Sequence, residues 1–329
     1  MTSDIFSGPA RIAVLGAGSL GSVIGGRLAQ AGNEVLLVNR NRDFVETVNA
    51  GGLVLIERGE RETIALRAAR DASNEEPFDL VIVLVKSFHT EEAMMASARL
   101  FGDDTIVLSL QNGVGHEDTL ARFVPAGNLL AGKSWLGGLM TSPGVIEASA
   151  IGRETVIGEP SGPVSERARA VAALFDAAGL ATRVSANIRG VIWDKLLVNT
   201  ATGALSGITR LNYGNLYDVG EIAGIACAAV AEGMAVARAL GIELSHAAPE
   251  DVWLSVKNGL AFNFKASILQ SLEKGSITEI DHINGAIVRE GARLGIPTPV
   301  NSTLVACIKG IERSLAPKSE ADVRREAEG

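Results

Sequence analysis

The stretch RIAVLGAGSLGSVIGGRLAQAG, residues 11–32, decides the fold of the first half of the chain. Residues 12–15 are apolar and predict a buried strand, and a helix of small residues follows the glycines. Gly16, Gly18 and Gly21 have the spacing G-x-G-x-x-G. The first permits a tight turn, the second lets a pyrophosphate approach the backbone, and the third lets the helix pack close to the strand. The N-terminus of that helix then offers N–H groups and a positive dipole end to phosphates.

The end of the second strand indicates which dinucleotide binds. Residues 35–38 are apolar and close a βαβ unit, which favours a dinucleotide site over a plain strand-to-helix turn. A site for NAD usually carries an acid at this point, but here NRNR follows as residues 39–42, with no acid before Asp43. The guanidinium of Arg40 suits a 2′-phosphate because its planar fork can make bidentate contacts. The sequence therefore predicts an NADP(H) site with Arg40 as the leading contact, and a solvated basic loop is the alternative.

Length and composition limit the class of protein. A chain of 329 residues predicts two domains and a large core, and a net charge of −8 argues against a nucleic-acid partner. The N-terminal ten residues lack a basic region, and the most apolar segment, residues 222–230, is too short to span a bilayer. Cys227 and Cys307 have no metal spacing, and the four histidines form no H-E-x-x-H pair. We therefore expect a cytoplasmic protein with free thiols, without a catalytic metal and without a membrane anchor.

Strands and helices alternate in the first half. Residues 80–85 (LVIVLV) and 105–110 (TIVLSL) are typical of parallel strands buried on both faces, with a helical pattern at 90–100 between them. QNGVG, residues 111–115, follows the second of these strands directly, at the sheet edge where α/β proteins bind ligands. A helix is predicted at 165–178, and shorter strands are predicted at 129–131, 144–148, 154–158 and 181–184, the first three as an antiparallel extension.

The composition changes at about Asn187, where strand patterns end. Gly241 and Gly295 each follow a predicted helix, where a left-handed cap favours glycine, and Pro297 and Pro299 mark the last linker. The predicted helices are 188–205, 219–240, 250–257, 278–294 and 302–315. The fold class is therefore α/β, with a Rossmann-type nucleotide-binding domain in residues 1–185 and an all-helical domain for substrate and catalysis in residues 186–329.

Lys195 and Asn199 are polar residues inside an apolar helix. They are one helical turn apart and therefore lie on one face. A lysine in a buried setting is costly unless it is paired or its pKa is lowered, and a lowered pKa suits a general acid near neutral pH. An exposed lysine beside Asp194 is the alternative. Glu279, in SITEIDHINGAIV, could likewise be a first-turn acid of the helix predicted at 278–294.

Taken together, these residues resemble the ketopantoate reductase (2-dehydropantoate 2-reductase) family over nearly the whole chain. The order and separations of the short matching segments also fit. The segments are GAGSLG at 16–21, Arg40, LVKSFHT with Lys86, QNGVG with Asn112, WDKLLVN with Lys195 and Asn199, KASILQSLEKGSITEID with Ser267 and Glu279, and HING at 282–285.

The resemblance implies a Rossmann-type domain and a helical domain like the C-terminal domain of 6-phosphogluconate dehydrogenase, with the active site between them. The implied activity is that of an oxidoreductase acting on CH–OH groups: the NADPH-dependent reduction of 2-dehydropantoate to (R)-pantoate, on the route to pantothenate and coenzyme A. The implied catalytic residues are Lys195, as general acid, and Glu279, which orients the substrate. The implied substrate-binding residues are Asn112, Asn199 and Ser267, and the cofactor-binding residues are Gly16, Gly18, Ser19, Leu20, Gly21, Arg40, Lys86 and Asn112.

Three departures from the family pattern bear on the substrate. Some relatives have an asparagine where this chain has Gly203, and a substrate-binding asparagine of the next loop has several possible counterparts in residues 212–215. The segment KSWLGGLMTSPGV, residues 133–145, also differs from the pattern with threonine and tyrosine that the resemblance leads us to expect. The substrate-side pocket could therefore hold a different 2-oxo acid.

Other functions stay open at this point. The first is an NADP-dependent reductase of the same scaffold that acts on another 2-oxo acid. The second is a non-catalytic NADP(H)-binding regulator, which would not need Lys195 and Glu279 together. The third is an opine- or glycerol-phosphate-type dehydrogenase, and TEIDHING, residues 278–285, argues against it. The expected partner is a small-molecule 2-oxo acid, and both a monomer and a homodimer are compatible with the sequence.

Overall fold

The computed structural model describes residues 5–6, 8–259 and 262–315. The chain divides into two compact units, the N-terminal unit of residues 1–192 and the C-terminal unit of residues 193–329. The division falls between Ile192 and Trp193, inside a long helix. The domain limits of 1–185 and 186–329 remain a prediction. The N-terminal unit contains sheets and helices, and the described part of the C-terminal unit is helical, which confirms the predicted fold class.

Most strands of the N-terminal unit form the predicted parallel sheet. The strands are β1 Arg11–Leu15, β2 Glu34–Val38, β3 Leu53–Glu57, β4 Glu60–Ile64, β5 Arg67–Ala69, β6 Leu80–Val83, β7 Ile106–Ser109, β8 Leu129–Ser134, β9 Gly137–Ser142, β10 Val145–Ser149, β11 Thr155–Gly158 and β12 Thr182–Val184. The larger sheet has the order β12-β11-β8-β7-β6-β1-β2-β5, and it is parallel except between β8 and β11.

A second sheet of four strands has the order β4-β3-β10-β9. The predicted antiparallel extension is therefore only partly correct. β11 does pair antiparallel with β8, but β8 continues the parallel sheet, and β10 pairs parallel with β3 in the second sheet. The hairpin of β3 and β4 was missing from the prediction because β4 (ERETI) has one apolar residue, at its last position, and is otherwise exposed.

The helices of the N-terminal unit connect these strands. They are α1 Ser19–Gln30, α2 Arg42–Gly51, α3 Thr90–Ala96, α4 His116–Leu120, α5 Glu166–Ala177 and α6 Ile188–Thr209, which continues into the C-terminal unit.

Helix α1 lies between the two sheets. A Cβ at Gly25 would lie 2.5 Å from Leu37 of the larger sheet, and a Cβ at Gly26 would lie 2.9 Å from Leu53 of the smaller one. Any larger side chain would push one sheet away, because real Cβ atoms essentially never approach other atoms so closely. The small residues of the opening sequence motif therefore serve packing on two faces of the helix.

The described part of the C-terminal unit is a bundle of helices. After α6, they are α7 Tyr213–Tyr217, α8 Gly220–Ala239, α9 Pro249–Gly259, α10 Ser267–Glu273, α11 Asn284–Leu294 and α12 Pro299–Leu315. Gly233 of α8 lies against Leu197 of α6 and Ile287 of α11, and Gly207 of α6 lies against Ile268 of α10.

Several helix boundaries differ from the prediction. The helix predicted to end at 205 continues to Thr209, and the one predicted to end at 100 ends at Ala96. The helix predicted at 278–294 begins only at Asn284, because residues 280–282 form a single 3₁₀ turn and Ile283 has φ −108° and ψ −96°, which is not helical. Glu279 is therefore not a first-turn acid of that helix. Pro299 is the first residue of α12 and not a linker residue, in keeping with the preference for proline at this position.

Glu57, the last residue of β3, is a buried carboxylate that links three segments of the N-terminal unit. Its Oε1 accepts hydrogen bonds from the N–H groups of Ala150 at 2.5 Å and Ile151 at 2.9 Å, and its Oε2 lies 2.9 Å from the guanidinium of Arg27. Burial alone would raise the pKa of Glu57, but these hydrogen bonds and the charge of Arg27 together lower it below its usual value of 4.5.

Glu57→Gln tests this link through its pH dependence. Because the pKa of Glu57 is lowered on folding, its contribution to stability is complete above the usual value of 4.5 and is lost as the pH falls through the folded-state value. We expect the variant to have a free energy of unfolding in urea about 1–3 kcal/mol lower at near-neutral pH. Its stability should also fall less on acidification than that of the parent. Glu60→Gln, at an exposed position of β4, is the control. Identical acid sensitivity of Glu57→Gln and the parent would contradict the prediction.

Candidate functional site

The glycine turn after β1 is shaped for close approach of a ligand. Gly16 has φ +94°, and a Cβ there would lie 2.4 Å from the backbone nitrogen of Val85. A Cβ at Gly21 would lie 2.6 Å from the carbonyl oxygen of Gly16. Around Gly18, by contrast, there is open space where a Cβ would be. The first and third glycines therefore serve the turn and the packing, and the second leaves the backbone accessible.

The N-terminus of α1 fits the pyrophosphate of a dinucleotide. Its N-cap residue, Gly18, provides no side-chain hydrogen bond, and the first turn contains no acidic residue. The N–H groups and the positive dipole end are therefore not neutralised by a local carboxylate. The hydroxyl of Ser19, in contrast, accepts a hydrogen bond from the N–H of Met140 at 3.0 Å and so joins the turn to β9.

Three loops at the carboxyl ends of β1, β6 and β7 are bonded to one another. The side-chain amide of Gln111 donates to the carbonyl of Val85 at 2.9 Å, and the hydroxyl of Ser87 donates to the carbonyl of Asn112 at 3.3 Å. Since Val85 also lies against Gly16, the structure brings the glycine turn and the loops that carry Lys86 and Asn112 together. Lys86 is exposed, and Asn112 is half-buried.

The loop after β2 carries the candidate contact for a 2′-phosphate. Asn39 donates to the carbonyl of Ala17 at 2.7 Å and ties this loop to the glycine turn, and Asn41 caps α2. The guanidinium of Arg40 lies 3.2 Å from the carboxylate of Glu92, and both side chains are more than 60% exposed. An exposed ion pair of this kind is worth at most about 1 kcal/mol, so the guanidinium can exchange one partner for another at little cost.

In the C-terminal unit, α6 carries Lys195 and Asn199 one turn apart, and both are half-buried. The carboxylate of Asp194 accepts from the N–H of Ser245 at 3.1 Å and lies 3.5 Å from the His246 ring. Asp194 therefore joins α6 to the loop after α8.

Glu279 is buried, with 6% of its surface exposed, in a short segment between α10 and α11. Residues of α12 hold this segment on both sides. The carboxylate of Glu312 accepts from the N–H of Thr278 at 2.8 Å and from its hydroxyl at 2.7 Å, and Lys309 forms an ion pair with Asp281. Glu312 and Lys309 were missing from the prediction, because they lie about one whole helix further along the chain and belong to no local pattern.

The positions where the chain departs from the family pattern have packing or capping contacts. A Cβ at Gly203 would lie 3.1 Å from Ile268, so an isoleucine side chain fills the space next to it. Asn212 caps α7 by accepting from the N–H of Asn215 at 3.0 Å, and the buried Tyr213 bonds the hydroxyl of Thr202 at 3.1 Å.

Ser267, a predicted substrate-binding residue, is exposed and is the first residue of α10.

Two further observations concern metals and membranes. Within the described residues, no group of three or more His, Cys, Asp or Glu side chains is arranged to hold a metal ion. One helix of the described part, α8, is long and apolar enough to cross a membrane, so the apolar stretch extends beyond the predicted 222–230. Its packing against α9, α11 and α12 is that of a core helix in a bundle, and such a helix passes the same test.

Comparison with known protein families shows which family this chain belongs to. The family model "Ketopantoate reductase PanE/ApbA" matches residues 12–162, and its C-terminal counterpart matches residues 187–312. The chain belongs to the ketopantoate reductase family. A 2-dehydropantoate 2-reductase of Halobacterium salinarum is 34% identical over 304 residues, which cover 92% of this chain and 99% of the relative. The predicted resemblance and the predicted class, an oxidoreductase acting on CH–OH groups, are confirmed.

Two solved structures are similar to this protein over most of its length. A PanE/ApbA family ketopantoate reductase from Ralstonia eutropha is 36% identical, with a TM-score of 0.84 over 92% of this chain and 99% of that one. A D-mandelate dehydrogenase solved with NADH and anilino(oxo)acetate is 30% identical, with a TM-score of 0.87 over the same shares. The family consists of dinucleotide-dependent oxidoreductases. The D-mandelate dehydrogenase was solved with NADH.

Proposed function

We propose that this protein reduces 2-dehydropantoate to (R)-pantoate with NADPH, as a cytoplasmic enzyme of pantothenate biosynthesis. One observation carries the proposal. The chain matches a 2-dehydropantoate 2-reductase over 92% of its length and has, at the positions that resemble the family's catalytic residues, the half-buried Lys195 and the buried Glu279. A non-catalytic NADP(H)-binding protein would need neither residue.

Lys195 is proposed as the general acid. The nicotinamide, when bound, supplies the hydride that reduces the carbonyl carbon. The ammonium of Lys195 donates a proton to the carbonyl oxygen, and its positive charge stabilises the negative charge that develops there. Asn199, on the same face of α6, is proposed to hydrogen-bond the substrate. The glycine turn, Lys86 and Asn112 are proposed to hold the cofactor.

Glu279 is proposed to accept a hydrogen bond from the substrate's hydroxyl group. A carboxylate would repel the carboxylate of a 2-oxo acid, so Glu279 must face the opposite end of the substrate. Because Glu279 is buried, a substrate with a plain alkyl chain would place an apolar group beside the carboxylate and would not donate this hydrogen bond. The clamp by Glu312 and Lys309 holds the segment of Glu279 in place for this contact.

Lys195→Ala tests the general acid. We expect kcat to fall by about 10²-fold or more, because the proton donor and the charge at the developing alkoxide are both lost. The Kd for NADPH, measured by fluorescence titration, should be nearly unchanged. Lys257→Ala, an exposed lysine of α9, is the matched control and should retain the kcat of the parent. A Lys195→Ala enzyme with near-normal kcat would rule out this role.

Substrate recognition is tested by comparing 2-dehydropantoate with its analogue that lacks the 4-hydroxyl group. We expect the parent to prefer 2-dehydropantoate in kcat/KM by about 10²-fold or more, since the analogue cannot donate a hydrogen bond to Glu279. Glu279→Gln should have a raised KM for 2-dehydropantoate and should lose most of that preference. Comparable kcat/KM values for both compounds in the parent would show that Glu279 does not recognise the hydroxyl group.

Arg40→Ala tests the choice of cofactor. Charge-assisted bonds from the guanidinium to the 2′-phosphate should favour NADPH over NADH by about tenfold to a hundredfold in kcat/KM. The variant should lose most of this preference and keep its activity with NADH. Arg42→Ala is the control, because Arg42 lies close by, at the start of α2, but binds Glu46 at 2.6 Å. Equal use of both cofactors by the parent would refute the role of Arg40.

A second candidate function is the reduction of a different 2-oxo acid. The D-mandelate dehydrogenase of similar structure, with its bound anilino(oxo)acetate, shows that this scaffold accommodates other 2-oxo acids. Ile268 beside Gly203 also presents an alkyl group where some relatives have an amide. NADPH oxidation against a panel of aliphatic and aromatic 2-oxo acids separates the two candidates. The substrate is a small molecule in both, and a monomer and a homodimer are equally compatible with either.

A further inference from the structure

We infer that Lys133 is a positioning residue that holds the loop of residues 111–113, and with it the side chain of Asn112, in place for the reaction. The inference rests on the proposed role of Asn112 beside the nicotinamide and the substrate. Lys133 belongs to the 133–145 segment that differs from the expected family pattern, and no role was predicted for it.

The position of Lys133 is unusual for a lysine. It is the fifth residue of β8 and is only 2% exposed, whereas lysine is almost never fully buried without partners. Its Nζ donates to the carbonyl oxygen of Gln111 and, at 3.1 Å, to that of Gly113. Both carbonyls flank Asn112, so one ammonium group binds the backbone on either side of that residue.

The carbonyl of Asn112 itself is held by two other side chains. Nε2 of His116 lies 2.6 Å from it, and the hydroxyl of Ser87 donates to it at 3.3 Å. The three successive carbonyls of the loop therefore all accept hydrogen bonds from side chains of the N-terminal unit. The side chain of Asn112, which we propose contacts the ligands, is half-buried.

The two carbonyl groups on either side of Asn112 explain why a lysine is buried at position 133. One ammonium group has three donors on a flexible stem, so it can satisfy two backbone carbonyls that no strand or helix would pair. Gly113, with φ +91°, bends the chain so that its carbonyl and that of Gln111 reach the same nitrogen. An uncharged apolar side chain would leave both carbonyls unpaired in the core, and the loop would move to satisfy them.

Lys133→Met tests the inference, combined with Asn112→Ala in a double-mutant cycle. A displacement of Asn112 by about 1 Å should lower kcat by about 10-fold to 10²-fold, with little change in the Kd for NADPH. If Lys133 acts through Asn112, the double variant should be no slower than Asn112→Ala alone, because the effects of coupled residues do not add. Thr155→Val is the control. It removes a buried hydroxyl that bonds Ser134, next to Lys133, and should lower stability without lowering kcat.

Each outcome of this experiment has a distinct meaning. The inference would be overturned if Lys133→Met lowered kcat by the same factor in the parent and in the Asn112→Ala background. It would also be overturned if Lys133→Met left the kcat of the parent unchanged. An Asn112→Ala enzyme with normal kcat would instead refute the proposed role of Asn112. If Lys133→Met does not fold, Lys133→Gln takes its place in the cycle. It keeps two N–H donors, so we expect a smaller loss of kcat that also vanishes in the Asn112→Ala background.

Discussion

The close packing of helix α1 is the constraint on which the N-terminal unit depends. Both sheets approach this helix at distances that exclude any side chain larger than that of glycine at positions 21, 25 and 26. The same closeness at Gly21 brings the helix against the turn at Gly16, so the helix N-terminus and the backbone of Gly18 are presented together. Close packing and phosphate binding therefore both require small residues, which explains why such residues dominate the glycine turn and α1.

A second principle governs the loops around this turn. Backbone hydrogen bonds connect these loops, and polar side chains add further connections between them. Gln111 bonds the loop after β6, Asn39 bonds the glycine turn, and Lys133 bonds the loop after β7. In the C-terminal unit, Glu312 does the same for the segment of Glu279. Such groups are costly when unpaired, so each of them specifies one loop conformation as well as stabilising it.

Local patterns in the sequence predicted the elements that have local causes. The apolar runs of β1, β6 and β7 and the glycine turn were recognised because their signals lie within about twenty residues. The start of α11 was placed too early because Ile280, Ile283 and Ile287 have the apolar spacing of a helix. The conformation of residues 278–283 instead depends on Glu312, more than thirty residues later. Lys133 shows the same limit. Its hydrogen bonds connect β8 to a loop about twenty residues earlier, and no periodicity in the sequence reports such a contact.

The contacts at Gly203 and Lys133 bear on whether the departures from the family pattern require a different substrate. The glycine at 203 would be expected to leave a hole where some relatives have an amide, and a larger substrate could then occupy it. The structure shows no such hole, because Ile268 lies 3.1 Å from the place of a Cβ at Gly203. The change is therefore one of chemistry, from amide to alkyl, rather than one of volume. Lys133 is likewise bound to a loop of its own unit. Neither departure by itself requires a substrate larger than 2-dehydropantoate, and the role proposed for the buried Glu279 favours a hydroxylated one.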